Sequence, residues 1–98
     1  MRTFQFRRYE LEPEGLDEFV AWVIDTIIPL REQMGYRVEW RYADPIKSEF
    51  LWLVSLEASA QEFELKDQAW MSSPERAEAV LTMPKGLLKA HASFVSQV

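Results

Sequence analysis

The chemistry open to this chain of 98 residues rests on a short set of side chains. His91 is the only histidine, and the only side chain that titrates near neutral pH without a large shift. It stands on a strand-like stretch out of step with Leu88 and Phe94, so it is expected on the other side of the sheet, able to act there as an acid or base. Arg7 and Tyr9 share a parity on a second strand-like stretch. There the guanidinium could hold an anionic group while the phenol donates a hydrogen bond. Trp40, Trp52, Trp70 and Trp22 offer flat surfaces on which a planar ligand stacks. The expected ligand-binding set is therefore Arg7, Tyr9, Trp40, Trp52, Trp70 and His91, with His91 the candidate catalytic residue. Each also has a plainer use: core or interface packing for the tryptophans and Tyr9, an ion pair across an interface for Arg7, a solvated strand position for His91.

Other chemistries drop out. With no cysteine there are no disulfides, thiolate metal sites or cysteine nucleophiles, and one histidine cannot build a multi-histidine metal site within a chain. No glycine-rich phosphate loop and no Ser-His-Asp order is present, so neither a metal nor a cofactor is called for. Paired carboxylates such as Glu10 and Glu12, or Asp17 and Glu18, read as solvated faces. Eleven Lys and Arg against sixteen Asp and Glu give a net charge of −5, and the cations are scattered, which argues against nucleic acid. No apolar run approaches the roughly 18 residues that cross a bilayer, so no membrane partner is expected and a cytoplasmic location is favoured.

Local patterns place these residues. Residues 3 to 12 alternate as a strand, with Phe4 and Phe6 on one face and Arg7, Tyr9 and Leu11 on the other. Pro13-Glu14-Gly15 breaks it. Leu16, Phe19, Val20, Val23, Ile24, Ile27 and Leu30 then form a helical stripe to about Met34, kinked near Pro29 and closed by Gly35. Residues 36 to 43 set Tyr36, Val38, Trp40 and Tyr42 against Arg37, Glu39 and Arg41, an edge strand with one wet face. Residues 50 to 56 are apolar on both parities. Ser59 and Glu62 form a capping box before a helix carrying Phe63, Lys66 or Asp67, and Trp70, and Ser73-Pro74-Glu75 restarts a shorter one to about Thr82. Residues 87 to 96 read as a last strand with Leu88, Ala90, Ala92 and Phe94 on one parity.

The order βαββαβ over a single domain, residues 1 to 98, predicts an α+β fold: a ferredoxin-like antiparallel sheet with its helices on one face. Helices cover one side only, yet the third strand is apolar on both. A second copy of the sheet is the simplest cover, giving a homodimer with space for a cavity.

Several segments resemble the NIPSNAP family of the dimeric α+β barrel superfamily. They are Arg7-x-Tyr9-x-Leu11-x-Pro13-x-Gly15-x-x-x-Phe19, Pro29-Leu30-Arg31-x-x-x-Gly35-Tyr36, Glu49-Phe50-x-Trp52-Leu53 and Trp70-x-x-Ser73-Pro74-Glu75-Arg76. Glu14 departs from the pattern by separating Pro13 from the glycine, which implies a turn one residue longer. The resemblance implies a dimeric α+β barrel and a family whose bacterial members mostly lack a defined biochemical role. Wider relatives include cofactor-independent monooxygenases, and others in which a histidine binds haem iron, a role His91 could take. The first expectation is a homodimer binding a small, partly apolar molecule in a cavity at the sheet. The alternatives are a monooxygenase-like enzyme acting on an aromatic substrate, and a protein-interaction module without a ligand.

Overall fold

A computed structural model describes residues 1–98. In chain order it contains β1 (Arg2–Leu11), a 3-10 turn (Pro13–Gly15), α1 (Leu16–Trp22), a π-helical turn (Val23–Ile27), α2 (Ile28–Gln33), β2 (Arg37–Asp44), β3 (Glu49–Glu57), α3 (Ala60–Met71), α4 (Pro74–Val80) and β4 (Leu87–Val95). The four strands form one sheet in the order β2-β3-β1-β4, every pair antiparallel. This is the ferredoxin-like arrangement, with the two central strands first and third in sequence. The extra Glu14 is absorbed by the 3-10 turn, after which Gly15 and Gly86 approach closely; Gly86 holds φ at 116°, where a side chain would be strained.

Alternation on the central strands decides which side chains meet the helices. On β3, Phe50, Trp52, Val54 and Leu56 are all buried against them, and the register sets them opposite Tyr9, Arg7, Gln5 and Thr3 of β1. Leu11, Leu16, Phe19, Val23, Ile28, Phe50 and Trp52 form the larger core; Tyr36, Val54, Leu56 and Phe63 form a second beside it. The helix-free face carries Phe4 and Phe6 of β1 and Leu51 and Leu53 of β3, all half-buried in the single chain.

Three local irregularities change what simple alternation predicts. In β2 the register shifts between Val38 and Trp40, so Val38 pairs with Val54 on the helix side while Trp40 and Tyr42 pair with Leu53 and Leu51 on the open side. The expected single apolar row from Tyr36 to Tyr42 is therefore split by a bulge, which places one additional residue, Glu39, between the two halves. In β4 a shift opposite Glu10 and Leu11 brings Leu87 rather than Leu88 into the core, and Leu88 is exposed. The first helix does not break at Pro29. Proline lacks an N–H and crowds the carbonyl four residues earlier; the preceding turn widens, with the Ile28 N–H donating to the Val23 carbonyl five residues back, and the helix continues.

Helix α3 starts as the sequence implies. The Ser59 side chain accepts from the Glu62 N–H at 3.2 Å, and the Glu62 carboxylate accepts from the Ser59 N–H at 3.2 Å. Replacing Ser59 by Ala leaves the Glu62 N–H without its side-chain acceptor. This is expected to lower stability by about 1 kcal/mol, read as a fall in melting temperature of roughly 4 to 8 °C by circular dichroism.

Candidate functional site

Between the sheet and its helices lies a cavity of about 200 Å³. Its floor is Arg7 and Tyr9 of β1 and Trp52 of β3; its walls come from Phe19, Trp22, Val23 and Ile27 on the first helical run and from Trp70 and Met71 at the end of α3. Trp70 stands where α3 stops and Ser73 caps α4, accepting from the Arg76 N–H at 3.1 Å, so the helix break brings both Trp70 and Arg76 to the rim. The floor is fixed by packing. The Tyr9 ring lies 5.3 Å from Phe19 and 6.2 Å from Phe50, and its oxygen accepts weakly from the Trp52 indole N–H at 3.4 Å.

Charge at the inner end is unevenly balanced. Arg31 of α2 is only 2% exposed; it bonds to Asp67 of α3 and lies 4.9 Å and 5.1 Å from the ring centres of Tyr36 and Trp70. Arg7 reaches the other oxygen of Asp67 at 3.8 Å, too long for a hydrogen bond, and its Nε and Nη1 are buried without an acceptor. Two guanidinium groups thus share one carboxylate. Burial first, and then the positive charge of Arg7, lower the pKa of Arg31, against the pull of Asp67. Tyr36, whose hydroxyl lies 3.4 Å from Asp67, is pushed up to about 12, by burial and then by the adjacent carboxylate. It stays a neutral phenol.

The structure brings Arg7, Tyr9, Trp52 and Trp70 to one cavity and leaves Trp40 and His91 out of it. Both project from the opposite face of the sheet, so the expected grouping of all six is corrected. For Trp40 the reason is the bulge in β2; His91, which pairs with Arg8 of β1, lies on the side its parity predicts, and Arg7 and Tyr9, expected to share a cavity with it, stand on the helix side. His91 Nε2 lies 2.5 Å from Glu10, and Arg8 bonds Glu49 at 2.7 Å beside Glu10, so this part of the helix-free face is an ion-pair network. From that face the histidine cannot reach a molecule in the cavity of its own chain. Arg7 faces α3, so its ion pair is within the chain and not across an interface.

Arg31, Asp67 and Arg76 went unassigned in the sequence. A signal was present: Arg31 follows Ile27 and Ile28 at helical spacing, and Asp67 falls between Phe63 and Trp70 at spacings of four and three. Opposite charges on the apolar stripes of two helices packed on one sheet face imply a buried pair.

No protein-family model and no curated protein matches the chain. Solved structures do. An uncharacterised NIPSNAP-like domain protein from Burkholderia xenovorans superposes with a TM-score of 0.80 at 19% identity, covering 99% of this chain and 85% of that one. A NIPSNAP family protein from Agrobacterium tumefaciens gives 0.84 at 9% identity, covering 100% and 94%. A candidate antibiotic biosynthesis monooxygenase from Bacteroides thetaiotaomicron gives 0.70 at 13% identity, covering 99% and 90%. At these identities the likeness establishes the fold alone, the ferredoxin-like α+β sheet with its helices on one face.

Asp67 is the only carboxylate beside two enclosed guanidinium groups, and replacing it by Leu strands both. Denaturant unfolding is expected to show a loss on the order of 3 kcal/mol, with part of it regained when Arg31→Met removes one of the stranded charges in the same chain. Losses that simply add would show that the two residues are not coupled.

Proposed function

We propose that this chain is a homodimeric binding protein for a small, partly apolar molecule, held in the cavity between sheet and helices. The cavity carries the reading. Its rings and aliphatic side chains are positioned to enclose a flat body, and Arg7 and Tyr9 supply polar groups at its floor, the usual composition of a small-molecule site. At about 200 Å³ it is smaller than the roughly 300 to 1,000 Å³ of drug-sized sites, which limits the occupant to one or two rings.

The second copy is called for by the other face. Phe4, Phe6, Trp40, Leu51, Leu53 and Val95 make an apolar band with no helix over it, and Phe6, Trp40 and Tyr42 form a chain of rings with centres 6.0 and 5.6 Å apart. Packing two such bands about a two-fold axis removes both from water.

One further reading has a specific observation behind it. The fold is shared with a candidate antibiotic biosynthesis monooxygenase, and an aromatic wall suits an aromatic substrate. An enzyme of that kind would work here without His91, through the substrate's own reactivity and the polar groups of Arg7 and Tyr9. Oxygen uptake with the bound compound separates it from a pure binder.

Three tryptophans line the cavity, so occupancy is expected to quench indole fluorescence. Naphthalene is expected to do so and to raise the melting temperature, by an amount equivalent to about 2.7 kcal/mol at a hundred times its dissociation constant. Trp70→Ala is expected to weaken both responses. A folded protein that responds to no one- or two-ring compound is an interaction module instead.

Sedimentation velocity tests the assembly. The native chain is expected to run as a dimer and Trp40→Glu as a folded monomer, because a carboxylate at the middle of the band is desolvated on association. A native monomer with that band open to water removes the dimer.

A further inference from the structure

Resting on the cavity reading, we infer that the occupant is an anion: a planar one- or two-ring compound bearing a carboxylate, which Arg7 anchors at the floor. The charged residues of the wall carry this. They are Arg7, Arg31 and Arg76 and no others, in a chain whose net charge is −5. A cavity whose only charged side chains are cations, in an acidic protein, is the local reverse of its average surface, and such a site concentrates anions.

The three arginines are not equivalent. Arg31 is committed, bonded to Asp67 and held between the Tyr36 and Trp70 rings. Arg7 is not: its nearest carboxylate is already engaged by Arg31, and two of its nitrogens are buried with no acceptor. A buried donor without an acceptor costs free energy that an incoming oxygen returns, and a guanidinium matches a carboxylate better than any neutral group. Arg76, at the rim on α4, makes no ion pair and adds field at the entrance.

Chemistry on the rest of the wall fixes the remainder of the ligand. Opposite Arg7 stand Trp22, Trp70, Phe19, Val23 and Ile27, which offer ring faces, alkyl groups and two indole N–H donors, that of Trp22 already given to Thr82 at 3.1 Å, and no acceptor for an ammonium. A molecule charged at both ends, such as a free amino acid, would strand its ammonium there. A compound with one carboxylate on an aromatic body satisfies both halves.

The test compares 2-naphthoate with 2-naphthamide, which share a ring system and differ in charge, by tryptophan quenching and calorimetry on the full-length protein at neutral pH. The native protein is expected to bind naphthoate on the order of 10- to 100-fold more tightly, the range that a hydrogen bond to a charged group gives. Arg7→Gln is expected to abolish the preference by weakening naphthoate far more than naphthamide, and Arg7→Lys to retain part of it. Equal binding of the two compounds by the native protein overturns the anion anchor and leaves the cavity reading standing. Binding of neither, by a protein that still melts cooperatively, overturns both. A preference that survives Arg7→Gln overturns the assignment to Arg7.

Discussion

Everything around the cavity depends on where Asp67 sits. It faces Arg31 of α2 on one side and Arg7 of β1 on the other, so a single carboxylate spans three elements that are distant in sequence. Ions enclosed at this depth stabilise little by themselves, because desolvation consumes much of their attraction. Their effect is positional. The pair fixes how α3 lies over the sheet, with the Arg31 guanidinium against the Trp70 ring and therefore Trp70 over the cavity. It also spends the carboxylate on Arg31, and that leaves Arg7 short of a partner.

Much of the fold is written locally, and the residues show why. The capping box at Ser59 and the proline after Ser73 act within one turn of chain, and both appear as the sequence implies. The doubly apolar 50 to 56 stretch states its own burial, and β3 is central. The places that escaped local reading are those where one residue too many enters a regular element. Glu39 in β2 and the widened turn before Pro29 each shift the periodicity partway along, so a pattern read from one end mispredicts the other. Trp40 was misplaced for this reason.

The candidate site divides in the same way. Arg7, Tyr9, Trp52 and Trp70 could be chosen from type and parity, since three lie on central strands whose alternation is unbroken around them. What could not be seen was that the cavity draws its wall from the helices, because side-chain direction on a helix depends on its rotation over the sheet. His91 is the lone histidine, yet its place opposite Arg8 puts it on the far side of the sheet from the cavity, beside Glu10. The two faces of the sheet therefore divide the labour. One holds a cavity edged by cations; the other is an apolar band bordered by ion pairs, suited to a flat surface of the same kind.

The widened turn at Val23–Ile27 has a consequence for how such a site could change. One residue advances an α-helix by roughly 100°. The widened turn takes up its extra residue and passes the helix on in phase, so the count of residues after it sets which side chain of α2 points at Asp67. Loss of a codon within the turn would close it to a regular α-turn with Arg31 still facing Asp67. Loss of one residue after it, before Arg31, would instead rotate Arg31 away from the sheet and bring a neighbour into its place, while the strands kept their register. Chains of this architecture thus have a route to a new ligand that leaves the scaffold alone: a change in the length of one helix, rather than in the identity of the residues that line the pocket.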